Sequence, residues 1–221
     1  MSARDEILAR VRAATADVTT SPRVMASSPS ASSLGALRNR HQSDDLVGVF
    51  AENVADYRAE VVRVRAAEVP GAVAQVLTRL GLGSVVVPTG LDPAWVAALE
   101  AGFDVVREDD AGSATELDRI DAVVTAAALG IAATGTVVLD HGSDQGRREL
   151  TLVPDTHVCV VREDQVVDDV PDAVRFLGGE AHRGRPLTWV SGPSATSDIE
   201  LQRVEGVHGP RTLVVVLVTD G

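Results

Sequence analysis

The sequence predicts an α/β fold with a mostly parallel, fully covered sheet, preceded by an N-terminal helical arm. Three observations predict it. From residue 60 onward, segments of helical periodicity alternate with short Val-rich runs. Such runs are apolar on both faces, as strands covered by helices on each side must be. Gly, Pro and Asp stand at the boundaries between them, where turns and helix starts need them. Aromatics are only 3% of the 221 residues while hydrophobic residues reach 45%, so Val, Ala and Leu must build the core.

The elements follow in order. Residues 1–20 form the arm, with Ile7, Leu8, Val11 and Ala14 at helical spacing and Arg4, Asp5, Arg10 and Arg12 between them. Residues 21–42 are a Ser-rich linker by composition. Residues 43–221 are the α/β domain. Its first helix starts at Ser43 as N-cap and carries Leu46, Phe50, Val54 and Tyr57 on one face. Alternation over residues 62–65 marks a short strand. Residues 73–80 are helical, 84–87 a buried strand, 92–101 a helix opened by Asp92-Pro93, and 104–107 a strand. Strand-like runs follow at 122–125, 131–139, 150–152 and 157–161. Residues 170–177 read as a helix, 187–190 as a strand, 198–204 as a helix and 212–218 as a final strand.

Composition excludes several functions. The lone Cys159 cannot build an internal disulfide, a zinc cage or an iron–sulfur cluster within this chain. All 20 basic residues are Arg, which rules out Schiff-base chemistry and a P-loop lysine. A formal charge of −12 opposes sequence-independent nucleic-acid binding. The charge is uneven: residues 1–65 hold nine Arg against eight acids, and residues 66–221 hold eleven against twenty-four. Between Asp121 and Asp140 lie eighteen uncharged residues. Their Ala, Gly and Thr content and acidic flanks mark a strand, a turn and a second strand rather than a membrane span. The start lacks a signal-peptide pattern, so a cytoplasmic chain is expected.

Three polar segments interrupt the pattern and are expected to converge at strand ends on one small anionic ligand. The first is Thr134-Gly135-Thr136, where Gly permits close backbone approach and two hydroxyls flank it. The second is the loop 141–149, where Arg147 and Arg148 offer bidentate donors to an anion. The third begins at Ser191-Gly192-Pro193-Ser194 and runs through Thr196 into the helix expected at 198. His141, His157 and His208 are candidate acid–base residues, since imidazole titrates near neutral pH. The five histidines form no His-x-His or His-Glu-x-x-His motif, and no metal site is assigned. Cys159 alternates within an apolar strand and is expected to be buried and inert.

These segments resemble the lactate-utilisation protein C family of small LUD-domain proteins. The residues that carry the resemblance are 131–139 around Thr134-Gly135-Thr136, Gly146-Arg147-Arg148 with Leu152-Val153-Pro154, Ser191-Gly192-Pro193-Ser194 with Thr196 and Asp198-Ile199-Glu200, and Gly206-Val207-His208-Gly209-Pro210-Arg211. The resemblance spans roughly residues 44 to 219. It implies a three-layer α/β/α domain similar to the NagB/RpiA/CoA-transferase-like superfamily. It also implies a part in bacterial oxidation of L-lactate to pyruvate, beside partner subunits that carry the iron–sulfur clusters. One cysteine per chain agrees with clusters held elsewhere. The family usually has Glu directly before Thr-Gly-Thr, and here that position is Ala133. Two other readings stand beside this one: a freestanding enzyme on an acyl, CoA-like or phosphorylated molecule, and a non-catalytic assembly module.

Overall fold

Period-2 alternation of Val-rich strands decides the architecture. The computed structural model describes residues 3–14, 45–182, 184–197, 203–205 and 208–219. The chain divides into two units, residues 1–40 and 41–221. Helix α1 (Ala3–Ala14) is the described part of the first. It exposes Ile7 and Leu8 and carries an i,i+4 ion pair between Glu6 and Arg10 at 2.7 Å. The Ser-rich residues 21–42 lie outside the described residues, as does Ser43.

The second unit is built on a six-stranded, all-parallel sheet in the order β1-β12-β7-β4-β2-β3. Its strands are β1 (Glu60–Val64), β2 (Ser84–Val87), β3 (Asp104–Arg107), β4 (Ala122–Ala126), β7 (Thr156–Arg162) and β12 (Thr212–Val218). Helices α3 (Val69–Arg79) and α4 (Pro93–Glu100) cover one face. Their Val73, Leu77, Val96 and Leu99 pack on Val85, Val124, Val158, Val160, Val214 and Val216. Successive strand side chains point to opposite faces. The odd-numbered residues of β7 and β12 therefore turn away from those helices, and Cys159, Val161, Val215 and Leu217 join the core under α2 (Leu46–Asp56), around Phe50 and Val54. Helices flanking a parallel sheet give the α/β class that the alternation of segments predicts.

A second, four-stranded sheet was not foreseen from the sequence. Its order is β8-β5-β6-β9, from β5 (Leu129–Ile131), β6 (Thr136–Leu139), β8 (Val166–Val167) and β9 (Thr188–Val190). The uncharged run thus holds three strands, not two. β4 belongs to the large sheet, while β5 and β6 form an antiparallel hairpin. Helix α6 (Val170–Leu177) packs Ala173 and Leu177 on this sheet's Leu129, Ile131 and Val138.

Other expectations shift. Residues 148–151 form a 3-10 turn rather than a strand, with Leu150 buried under α5 (Ala114–Leu117). The helix expected at 198–204 is overturned at its described end. Ala195–Ser197 is strand β10 and pairs antiparallel with β11 (Arg203–Glu205). Residues 198–202 lie outside the described residues. The first helix is capped by Asp45, whose carboxylate accepts from the Gly48 N–H at 2.7 Å. Tyr57 follows the helix and is exposed.

Gly135 ties the two layers together. It adopts a left-handed φ of 54°, and a Cβ there would lie 2.4 Å from the carbonyl carbon of Asn53 in α2. Asn53 in turn donates to the Ala132 carbonyl at 2.8 Å. Replacing Gly135 with Ala is expected to cost at least about 1–3 kcal/mol from the backbone conformation alone, before the clash is relieved. Urea unfolding checks this; a loss under about 0.5 kcal/mol, the range of an indifferent surface change, would contradict it.

Candidate functional site

The register of the small sheet brings two of the polar segments together. β6 and β9 are antiparallel with Val137 opposite Val190, so the next pair outward is Thr136 and Ser191. Their hydroxyl oxygens are 2.7 Å apart, and the Thr136 hydroxyl is also 2.7 Å from that of Thr134. Thr134, Thr136 and Ser191 form one hydroxyl chain. Gly135 serves the close approach to α2, and the threonines serve the contact with Ser191.

Ser191 opens the segment 191–194, which walls a cavity of about 280 Å³. Gly192 has φ 84°, and a Cβ there would meet the Tyr57 carbonyl at 2.6 Å. Ser194 donates its N–H to the Pro210 carbonyl at 2.8 Å and accepts the His208 N–H on its hydroxyl at 3.1 Å. These bonds pin 191–194 against 208–210. His157, Ser191, Gly192, Ser194 and His208 all line the cavity. Thr196 sits in β10 opposite Val204.

The cavity lies at the amino ends of β7 and β12, where His157 and Leu213 are register partners. Open parallel sheets usually place ligands at the carboxyl ends. The small sheet, which supplies residues 188–191 to this cavity, is the reason for the difference.

His157 is the buried imidazole of the site, with 2% of its surface exposed. Its Nε2 lies 2.8 Å from the Thr125 hydroxyl. The Thr125 hydroxyl donates to Cys159 Sγ at 3.7 Å, and Cys159 Sγ donates to the Ala126 carbonyl at 3.7 Å. A carbonyl can only accept. The thiol therefore donates to the carbonyl, while the 2.8 Å contact between the Thr125 hydroxyl and Nε2 suits either neutral tautomer of the ring. His157 Nδ1 makes no hydrogen bond to another described residue, and His157 lines the cavity. Burial pushes the His157 pKa down to about 4. Burial likewise pushes the Cys159 thiol up to about 12, so the sulfur is an S–H donor and not a nucleophile.

The loop 140–149 is braced rather than open. His141, in a left-handed conformation with φ 54°, is held at Nδ1 by the Gly146 carbonyl at 3.0 Å and at Nε2 by the Thr188 hydroxyl at 2.8 Å. Thr188 lines the cavity, so His141 supports its wall. Arg147 gives its guanidinium to the carbonyls of Glu108 at 2.9 Å and Gly112 at 3.0 Å, and its N–H to the Glu108 carboxylate at 2.7 Å. It bolts this loop to residues 108–112. Arg148 is exposed, and its guanidinium has no partner among the described residues. Its carbonyl accepts the hydroxyl of Thr151, a cavity residue, at 3.2 Å.

Two groups near the site were not singled out from the sequence. Asp140 is buried, and its Oδ2 takes His182 Nδ1 at 2.6 Å and Arg185 at 2.8 Å. Burial raises its pKa, but His182, the Gly142 N–H and Arg185 together outweigh that and hold it below the usual carboxylate range. Asp168 accepts the Ala133 N–H on its carbonyl at 3.0 Å. Thr125, His157 and Cys159 meet only through the β4–β7 register, which no local pattern encodes. Among the described residues no cluster of His, Cys, Asp and Glu has the arrangement of a metal site. No helix there is long and apolar enough to cross a membrane.

Comparison with known proteins adds a family to this geometry. The LUD domain family model matches residues 47–218. A lactate utilization protein C of Deinococcus radiodurans is 51% identical over 174 residues, covering 79% of this chain and 80% of that protein. A lactate utilization protein C of Geobacillus thermodenitrificans is 27% identical over 200 residues, covering 81% of each. The crystal structure of a DUF162 family protein from Deinococcus radiodurans superposes with a TM-score of 0.68 at 44% identity, covering 79% of this chain and 97% of that one.

The depressed His157 pKa sets a pH dependence. The unfolded chain binds a proton at this residue near pH 6.5 and the folded chain only near pH 4. The contribution of His157 to stability is therefore constant above about pH 6.5. It falls as pH drops toward 4, by on the order of 3 kcal/mol in all. Replacing His157 with Gln is expected to flatten the decline of stability between pH 6.5 and 4, measured by denaturant unfolding across that range. An NMR titration should show the His157 ring unmoved from pH 8 to 5.5; a midpoint near 6.5 would contradict the burial argument.

Proposed function

The chain belongs to the LUD-domain family, and from that premise we propose that it serves lactate utilisation as a subunit that binds the 2-hydroxy acid in the cytoplasm. The observation that carries this reading is the buried, neutral imidazole of His157 in the wall of a cavity of about 280 Å³. That volume is at or below the low end of small-molecule pockets, about 300–1,000 Å³, and suits a ligand of few atoms. A hydroxyl is the group a free imidazole lone pair accepts from. The Ser191 hydroxyl, backed by Thr136 and Thr134, can donate or accept at another wall of the cavity. Arg148, exposed and unpaired among the described residues, supplies charge for the carboxylate. Arg147 has a bracing role instead.

Oxidation of lactate to pyruvate removes two protons, one from the hydroxyl and one from C2, and two electrons. In this reading His157 Nδ1 receives the hydroxyl proton. A bound carboxylate nearby raises the imidazole pKa from about 4 toward the range where it can hold that proton. Iron–sulfur centres on partner subunits would supply the acceptor for the two electrons, with the C2 proton released beside them, since one buried cysteine cannot seat a cluster.

Deleting the gene and supplying L-lactate as sole carbon source tests the assignment. Growth is expected to fail, and unimpaired growth would sink it. Complementation with Ser191→Ala should lower the growth rate, while Val174→Ala, an exposed position on α6, should restore it fully. For the isolated chain, calorimetry with lactate is expected to show binding that weakens by about 10-fold or more in His157→Gln, the weight of one buried hydrogen bond left unmade.

A further inference from the structure

A second cavity, of about 380 Å³, lies at the opposite end of the large sheet's strands. It collects the carboxyl ends of the parallel strands: Ala126 closes β4, Arg162 closes β7 and Val218 closes β12. The chain turns outward from β2 to β3 and then returns through β4 to β7 and β12. The sheet order reverses between β2 and β4, and the crevice sits there, where open α/β sheets bind ligands. The loop after β2 is tied over it by the Gly90 N–H to the Ser143 carbonyl at 2.8 Å, and the end of β4 by the Ala126 N–H to the Asp144 carbonyl at 3.1 Å.

We propose that this crevice is a second ligand site, and that it takes a neutral ring bearing vicinal hydroxyls. Trp95, Ala126 and Val218 give an apolar surface for the ring. Asp92 uses one carboxylate oxygen to cap α4 through the Ala94 N–H at 2.8 Å, and the other has no partner among the described residues. Asp144 uses one oxygen on Gln145 at 3.2 Å, and its other has none there either. Both of these oxygens only accept, so they select donors such as hydroxyls. Arg162 is bound through Nε to Asp164 at 3.1 Å, leaving its two terminal nitrogens to donate to ring or hydroxyl oxygens. Two lining carboxylates against one guanidinium, itself already paired with Asp164, disfavour an anion. The ring is a free sugar or the ribose of a nucleoside, and the probes below separate them. This site shares no lining residue with the His157 cavity and does not depend on the lactate reading.

The chain's two tryptophans report the two cavities separately, Trp95 here and Trp189 at the other. In the full chain carrying Trp189→Phe, Trp95 is the sole fluorophore. Adenosine, 2′,3′-dideoxyadenosine, D-glucose and adenosine 5′-monophosphate are titrated against it. A saturable change with adenosine or glucose is expected. A response to adenosine alone identifies a nucleoside, and a response to glucose identifies a sugar. For a nucleoside, loss of the two hydroxyls should weaken binding about 10-fold or more, as one hydrogen bond to a charged group warrants, and the monophosphate should bind more weakly than adenosine. Asp144→Ala and, separately, Arg162→Ala should each weaken the responding ligand to a similar degree. The proposal is overturned if no probe gives a saturable change, if the monophosphate binds more tightly than adenosine, or if both variants bind as the parent does.

Discussion

The parallel register between β7 and its neighbours β4 and β12 is the constraint from which the rest of the molecule follows. Side chains alternate across a strand, so this register assigns every residue of β7 to one of two faces. Val158 and Val160 go to the face under α3 and α4. Cys159 and Val161 go to the face under α2 and the small sheet. His157 shares their parity, and its position at the strand's amino end places it at the rim of that layer. A slip of one residue would bury Arg162 and exchange the two cores. Val, with its stiff branched side chain, fills both faces of these strands.

The second layer turns that register into a site. β9 pairs with β6 and carries Ser191 to Thr136. The left-handed Gly135 lets the hairpin turn press on α2. Ser194 meets the segment entering β12. The walls of the His157 cavity thus come from four separated stretches of chain, each fixed by backbone pairing or by a hydroxyl bond. His157 itself is neutral because burial outweighs everything else around it.

Polar residues that look alike in sequence hold different positions here. Arg147 and Arg148 are adjacent, yet the first is spent on carbonyls of a neighbouring loop and the second is exposed with no guanidinium partner among the described residues. His141 braces a wall through two bonds, whereas His157 lines the cavity with one nitrogen unbonded among the described residues. Asp140 bounds an uncharged run in the sequence, and in the fold it is a buried carboxylate held by His182 and Arg185. In each case the deciding factor is which backbone carbonyl or hydroxyl the fold brings within reach.

The sequence by itself determined the α/β class, the strands of the large sheet and the helices α3, α4 and α6. Those features rest on periodicity and on local boundary residues, which act over a few positions. It also determined that a cluster cannot be built from this chain's single cysteine. The residues that line the His157 cavity were legible as polar interruptions, but their grouping was not. Only the tertiary structure decided that Thr136 meets Ser191, that Arg147 is structural, and that residues 195–197 extend as a strand instead of opening a helix. These outcomes depend on pairings between segments tens of residues apart. Short Gly- and Ser-rich segments have no strong preference of their own, so the long-range hydrogen bonds available to their backbone choose for them.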